Sequence, residues 1–317
     1  MKLLAFVFLL ITATSGFAQP YPSKPIRIVV PFAAGGIADL YSRIIGARVQ
    51  ESWGQPVVIE NRTGAGGNIG ADAVAKSAPD GYTLVMSALG PHAVNVSLFS
   101  RMPYDPVRDF AAIALVLEAE GLLVVHPSIP INSVADLISH ARANPGKLTF
   151  ASAGMGTASH LAGELFKAMA KVEMTHVPYK GNVPAITDLL AGQTSLLFAT
   201  MPTVLPHAKA GKLRALATIG AVRSAAAPEL PTVAEALPGF EVNNWIAIFA
   251  PAGTSADIVR RWNAEVNRIM QAPDIQARLP NEGARFIPMT PEQFGAFVKS
   301  EIAKGAPVVK ASGARVD

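Results

Sequence analysis

Apolar residues enter this chain in short runs that alternate with amphipathic stretches. In "IRIVVPFAAGGIADLYSRII" (Ile26 to Ile45) the run Ile26, Ile28, Val29 and Val30 suits a strand covered on both faces. Two glycines then break the chain, and Leu40, Ile44 and Ile45 resume at helical spacing. The same rhythm recurs in "PVVIE", "NIGADAVAKSA" and "YTLVMS", then in "GLLVVH", "SVADLISHARAN", "KLTFAS", "HLAGELFKAMA", "MTHVPY", "PAITDLLAG" and "TSLLFAT". Strands alternating with helices predict an α/β protein with parallel sheets. Asn132 or Ser133 is placed to cap one helix, which Asn144-Pro145-Gly146 ends; Thr290-Pro291-Glu292-Gln293 forms a capping box with a first-turn proline. From Thr254 the alternation stops. One helix bearing Ile258, Val259, Trp262, Val266 and Ile269, and another bearing Phe294, Phe297, Val298 and Ile302, need an existing lobe to cover.

The first eighteen residues, "MKLLAFVFLLITATSGFA", combine a basic start, an apolar centre and small residues at Gly16 and Ala18. They read as a secretory signal peptide cleaved after Ala18, since a membrane anchor needs ~20 apolar residues. No later stretch approaches that length. The formal charge is +4 in 317 residues, with the basic residues scattered, so no nucleic-acid footprint is expected. There is no cysteine, and therefore no disulfide framework; a chain of this length is stabilised by core burial and suffices for two lobes.

Three glycine-bearing turns carry the candidate chemistry. A strand, a glycine turn and a helix start together make an anion cradle, because the first N–H groups of a helix lack partners and sit at the positive end of its dipole. "PFAAGGIAD" is the first, with Asp39 in the opening helical turn either as a cap or as a contact for a ligand amine or hydroxyl. "NRTGAGGNIGADAV" is the second; Ile69 stands where G-x-G-x-x-G requires its last glycine, which argues against a dinucleotide site. "ASAGMGTASHLAGELF" is the third, with Thr157 placed to cap and Ser152, Thr157 and Ser159 offering hydroxyls. It does not match the G-x-S-x-G elbow of a serine hydrolase. His160 and Glu164 share a helical face without a third metal ligand in view, and a helix-start histidine is the simpler reading. Lys180, after the strand ending at Pro178, is either a charge partner for an anion or a solvated lysine, while Tyr41 and Tyr82 read as packing residues. Since ligands of open sheets sit at the carboxyl ends of strands, turns from two lobes face each other across a cleft.

The segments "YPSKPIRIVVPFAAGGIAD", "GAGGNIGADAVAKSAPDGYTL", "ASAGMGTASHLAGELF", "HVPYKGNVPAITDLLAGQ", "HAKAGKLRALA", "ELPTVAEALPGFEV" and "FAPAGTSADIV" resemble, in unbroken order from Tyr21 onwards, the Bug family of periplasmic solute receptors. These are the binding subunits associated with tripartite tricarboxylate transporters. The resemblance implies a Venus-flytrap fold, with lobe 1 formed by residues 19–122 and 245–317 and lobe 2 by 123–244. It implies a small organic carboxylate in the cleft, membrane permease subunits as partners, a monomer, a periplasmic location and no cofactor or catalytic residue. Carried over by position, the ligand contacts fall on Phe32, Ala33, Ala34, Gly35, Gly36 and Asp39, and on Ser87 and Ala88. In the second lobe they fall on Ser152, Ala153, Gly154, Gly156, Thr157 and His160, and on Tyr179, Lys180 and Gly181. Three positions depart from the family pattern: Pro91 replaces a frequent threonine, Ala199-Thr200 a frequent Asp-Asn pair, and Gly305 a common tryptophan. An exported hydrolase or lyase using the same cleft, or a solute sensor for a signalling partner, are the alternatives, and the identity of the acid is left open.

Overall fold

The structure is a computed structural model that describes residues 21–316. The expected signal peptide, Met1 to Ala18, lies outside the described residues. The chain opens with β1 (Ile26–Val30), α1 (Ile37–Trp53), β2 (Val57–Asn61), α2 (Asn68–Ala75) and β3 (Thr83–Ala88). A π-helical turn over Gly90–Val94 and the single-turn α3 (Asn95–Leu98) lead to β4 (Phe110–Ala119). After Glu120 come β5 (Gly121–Val125), α4 (Val134–Ala143), β6 (Thr149–Ser152), α5 (Ala158–Ala170) and β7 (Thr175–Pro178). They are followed by α6 (Asn182–Leu190), β8 (Leu196–Thr200), α7 (Met201–Lys209) and β9 (Arg214–Thr218). The chain then returns through β10 (Asn244–Pro251), α8 (Ala256–Met270), α9 (Pro273–Arg278), β11 (Ala284–Arg285) and α10 (Pro291–Ser312).

Two sheets result, one ordered β11-β4-β10-β3-β1-β2 and the other β7-β6-β8-β5-β9. The parallel pairing expected from the alternation holds for β1 with β2 and β3, and for β6 with β7 and β8. It fails at the strands that carry the chain between lobes. β10 runs antiparallel to β3 and β4, and β5 antiparallel to β8 and β9. A parallel neighbour requires a crossover of a dozen or so residues, and only Glu120 separates β4 from β5. The chain therefore changes sheet at Glu120 and again before Asn244. Gly121 and Leu122, which the division at 122/123 gave to the first lobe, pair in the second sheet, and Asn244 pairs in the first. Uniform apolarity in "GLLVVH" hides that boundary.

Each sheet is covered on both faces, as the apolar runs require. Ile26, Ile28 and Val30 of β1 pack with Tyr41, Ile45 and Val49 of α1 and with Trp262, Val266 and Ile269 of α8. Val29, on the opposite face, joins Ala71 and Val74 of α2 and Phe294 and Val298 of α10. Thus the tail covers the first lobe. In the second lobe Leu123 and Val125 face one core, and Leu122 and Val124 the other. Leu161 of α5 reaches into the first lobe's cluster and Val308 of α10 packs against the second lobe's, so α10 straps the two together. Ser133, rather than Asn132, caps α4 by accepting the Asp136 N–H at 3.0 Å, and Thr290 and Gln293 form the reciprocal box that starts α10. Among the described residues no helix is long and apolar enough to cross a membrane.

Candidate functional site

The site lies where turns from both lobes meet, and its shape is set by what holds those turns. In the first lobe, α1 begins at Gly36, an extended N-cap without a side-chain cap. Asp39 reaches back instead to the turn, accepting the Gly35 N–H at 2.9 Å. It also receives Arg43 Nε at 3.0 Å and Nη2 at 2.9 Å, and Asn61 Nδ2 at 3.0 Å. Burial acts to raise its pKa, but Arg43, the Gly35 N–H and Asn61 together hold it below the ordinary value. Its two oxygens are fully engaged inside the lobe. Asp39 shapes the turn and does not line the cavity. Asn61, which also donates to the Phe32 carbonyl at 3.0 Å, is a support that no local pattern announces.

The second lobe's turn is held by neutral groups. Ser152 Oγ lies 2.6 Å from His176 Nε2 and accepts the Gly154 N–H at 3.1 Å. His176 is sandwiched between Phe150 and His160, with ring centres 4.6 Å and 4.4 Å away. Burial, with His160 and Lys167 nearby, lowers its pKa to about 3, and burial lowers that of His160 as well. Both rings are therefore neutral: His176 Nε2 shares a hydrogen bond with the Ser152 hydroxyl, and His160 Nδ1 accepts the Gly156 N–H at 3.2 Å. Thr157 caps α5 and donates to the Gly154 carbonyl at 2.7 Å. The Ser152–His176 separation is that of a nucleophile and its base. However, Ser152 is fully buried, does not line the cavity and also accepts the Gly154 N–H, so the pair braces the turn.

Between the turns is a cavity with about 70 Å³ open to the centres of water-sized molecules. Of the residues expected at the site, Phe32, Ala33, Gly36, Ala88, Ala153, Thr157 and Gly181 line it. The structure sets the others apart from it. Gly35, Asp39, Ser152, Gly154, Gly156 and His160 form the braces just described, Ala34 is exposed, and Ser87 lies 2.7 Å from His92 Nδ1 in the core. The Tyr179 hydroxyl donates to Asp188 at 2.7 Å. Lys180 is exposed and contributes its carbonyl, which accepts the Ala33 N–H at 2.9 Å across the cleft. Glu164 of the expected His160–Glu164 face pairs with Lys167 at 2.8 Å.

Ser159, one of the hydroxyls read from the third turn, lines the cavity, while sequence reading missed Ile37, Ala38, Asn182 and Asn244, and the hinge-side wall of Ala119, Gly121, Ile219, Val242 and Ile246. Asn182 and Thr200 were findable in kind, since each stands where a strand gives way to a helix; the hinge-side residues carry no such local sign. Pro91, one of the departures from pattern, does not line the cavity and instead accepts the Tyr104 hydroxyl through its carbonyl at 2.8 Å. Gly305 sits in α10 against Val94, with ordinary room for a side chain.

Two properties of this lining matter chemically. No charged side chain belongs to it. Yet four helices begin on it: α1 at Gly36, α5 at Thr157, α6 at Gly181 and α7 at Thr200, and only the Thr157 side chain caps its own helix. Of the helices that start elsewhere, α4, α8 and α10 are each capped by a serine or threonine, and α2, α3 and α9 have no side-chain cap. At α7 the Met201 N–H already donates to the Glu120 carbonyl at 2.8 Å and Pro202 has none, so the bare N–H groups are those of α1 and α6, which suit an anion without a cation.

The lobes are closed on one another. A Cβ on Gly66 would lie 1.9 Å from the Met155 carbonyl oxygen, one on Gly90 2.6 Å from that of Gly156, and one on Gly181 3.0 Å from the Ala33 nitrogen. Backbone meets backbone at all three places, which only glycine permits.

The family model described as the tripartite tricarboxylate transporter family receptor matches residues 41–314. BugT of Bordetella pertussis is 39% identical over 322 residues, covering 99% of this chain and 98% of BugT. Among solved structures, an R. palustris protein with adipate is similar at 39% identity and a TM-score of 0.89, over 93% of this chain and 100% of that one. MatC from Rhodopseudomonas palustris, with bound malate, is similar at 36% identity and a TM-score of 0.87, over 91% and 100% respectively.

Proposed function

The chain belongs to the tripartite tricarboxylate transporter receptor family, and from that premise we propose that it is a periplasmic receptor, acting as a monomer, which closes on a small carboxylate and delivers it to the membrane permease subunits of its transporter. Its fold is the two-lobed one of periplasmic binding proteins. One observation carries the ligand class: a cavity without a charged side chain is entered by helix starts from both lobes, of which α1 and α6 have no side-chain cap. A carboxylate placed there replaces the missing caps and meets the positive ends of the dipoles. Because α1 belongs to one lobe and α5, α6 and α7 to the other, a ligand touching both sets binds the closed form better than the open one. That difference in affinity drives closure. No covalent step is needed, and neither Ser152 nor His176 lines the cavity.

Thermal melts with adipate, malate, butyrate and benzoate, each beside its amide, test this reading. An acid at about a hundred times its dissociation constant stabilises the protein by roughly 2.7 kcal/mol. Its amide, lacking the charge, loses most of that effect. Equal stabilisation by acid and amide sinks the carboxylate assignment.

A further inference from the structure

Of the fifteen arginines in the sequence, all among the described residues, thirteen have a partner within the chain. Arg62 and Arg101 are the other two: both are exposed, and neither side chain has a hydrogen bond, ion pair or ring contact among the described residues. Far apart in sequence, they line one groove on the first lobe, between α2 and the segment that follows α3. That groove shares no lining residue with the cavity between the lobes. Ile69, which is 48% exposed, gives it an apolar lining together with Phe99 and Pro103. Its one carboxylate, Asp72, is paired with Lys76 at 2.7 Å, so those charges cancel and the arginines leave the groove positive.

An exposed arginine or isoleucine is unremarkable by itself. Arranged around a concavity, they have the make-up of a docking surface, in which arginine is enriched, an apolar centre is buried and charge at the rim selects the partner. With about 560 Å³, against about 70 Å³ between the lobes, the groove has room for a stretch of polypeptide. Guanidinium groups take carboxylates two-pronged, so that stretch is acidic. A bilayer fits less well, being flat where this surface is concave and calling for clusters of about four to eight basic residues. The inner edge of the groove continues into the contacts between lobes. Ala65 precedes Gly66, whose Cβ would lie 1.9 Å from the Met155 carbonyl oxygen, and a Cβ on Gly156 would lie 3.0 Å from the Phe99 ring. Parting the lobes withdraws Met155 and Gly156, so that edge is complete only in the closed form. Resting on the transport reading above, we propose that this groove docks an acidic segment of a permease subunit, with Arg62 and Arg101 pairing with its carboxylates beside Ile69, and that closure completes the edge the segment reads.

The test is made in native cells deleted for their own copy of the receptor, with a benzophenone amino acid in place of Ile69 or, as a control, of Val222, which is 77% exposed in the second lobe. The acid supplied is radiolabelled adipate, malate, butyrate or benzoate, whichever stabilises the protein most. Light should join the Ile69 probe, and not the Val222 probe, to a permease subunit at a segment rich in aspartate and glutamate, with a higher yield when the acid is present. Arg62→Glu with Arg101→Glu should lower both adduct and uptake by about tenfold or more, and the corresponding glutamine pair by less, while the purified variants bind the acid within about twofold of the unaltered protein by calorimetry. No permease adduct, an adduct on a segment without acidic residues, or one that the charge reversal leaves unchanged overturns the proposal. Equal yield with and without acid overturns its closure clause. Binding to phosphatidylglycerol vesicles that the charge reversal abolishes, without a permease adduct, gives the groove to the membrane instead, and a dimer in sedimentation that it abolishes gives the groove to a second copy. Uptake that needs the receptor but ignores the charge reversal overturns this inference alone; uptake that continues without the receptor overturns the transport reading.

Discussion

The first lobe lines the cavity with Phe32, Ala33, Gly36, Ile37 and Ala88 and with one hydrogen-bonding side chain, Asn244, whereas the second lobe lines it with Thr157, Ser159, Asn182 and Thr200. The supports differ as well. Behind the first turn is a buried carboxylate tied to Arg43; behind the second is a stack of two neutral imidazoles and a phenyl ring. The contrast separates two tasks. The first lobe offers mainly backbone N–H groups held at fixed positions, which suits it to recognising charge. The second adds hydroxyls and an amide, so it distinguishes one acid from another.

The largest effect is expected where the lobes touch without touching ligand. Gly66→Ala adds a Cβ 1.9 Å from the Met155 carbonyl oxygen, at a φ of +62°, in the closed form. Ligand affinity should fall by roughly a hundredfold or more, because the binding-competent population falls. The variant should stay folded by circular dichroism and show a larger radius of gyration in scattering with ligand present. Normal affinity would mean that these backbone contacts are not part of closure.

Next is the charged support. Asp39→Asn loses the ion pair with Arg43 and should destabilise the protein by about 1–3 kcal/mol in chemical denaturation. A change below ~0.5 kcal/mol would remove the distinction between the two supports. On the other side, Thr157→Val removes the α5 cap at a cost of about 1 kcal/mol and should weaken acid binding by several-fold. Ile37→Val in the first lobe should leave affinity within about twofold, since only packing is touched there. Reversed sensitivities would break the division of labour.

A smaller effect, in pH, sharpens the comparison. The pKa of Asp39 lies below its ordinary 3.8, so its contribution is present above that value and is lost only as pH falls through the folded value. That of His176 is lowered from 6.5 to about 3, so the unfolded state takes up a proton that the folded state refuses. Its support is full above pH 6.5 and declines as pH drops towards 3. At pH 5, hydrogen exchange should therefore report weaker protection, after correction for intrinsic rate, at Gly154 and Gly156 than at pH 7, with Gly35 unchanged. His176→Gln should flatten the dependence at Gly154 and Gly156.

Much of the architecture was legible because it is written locally. The run Ile26–Val30, the glycine turn and the spacing of Leu40, Ile44 and Ile45 specify strand, turn and helix, and the tail's apolar stripes on α8 and α10 specify helices that cover a lobe. The resemblance supplied the two lobes. What escaped was decided across distance. Whether Asp39 faces a ligand or Arg43 and Asn61 depends on a strand 22 residues away, and the Ser152–His176 bond spans 24. Glycine itself is ambiguous in sequence: Gly181 lines the cavity and also meets Ala33 across it, whereas Gly154 and Gly156 stand behind the wall. A turn signal reports a backbone conformation without saying which side of the turn faces the cleft. The strand β5 was readable as apolar but not as antiparallel, since pairing direction depends on where the chain comes from.

The central claim is that a carboxylate is held by bare helix starts without a cationic side chain, and a crystal structure of the protein with whichever tested acid binds most tightly addresses it directly. Carboxylate oxygens should lie within about 3.2 Å of backbone N–H groups in the first turn of α1 and of a second-lobe helix, with no lysine or arginine nitrogen in contact. A carboxylate paired instead with Lys180 or Arg43, or bound away from those helix starts, would contradict the claim.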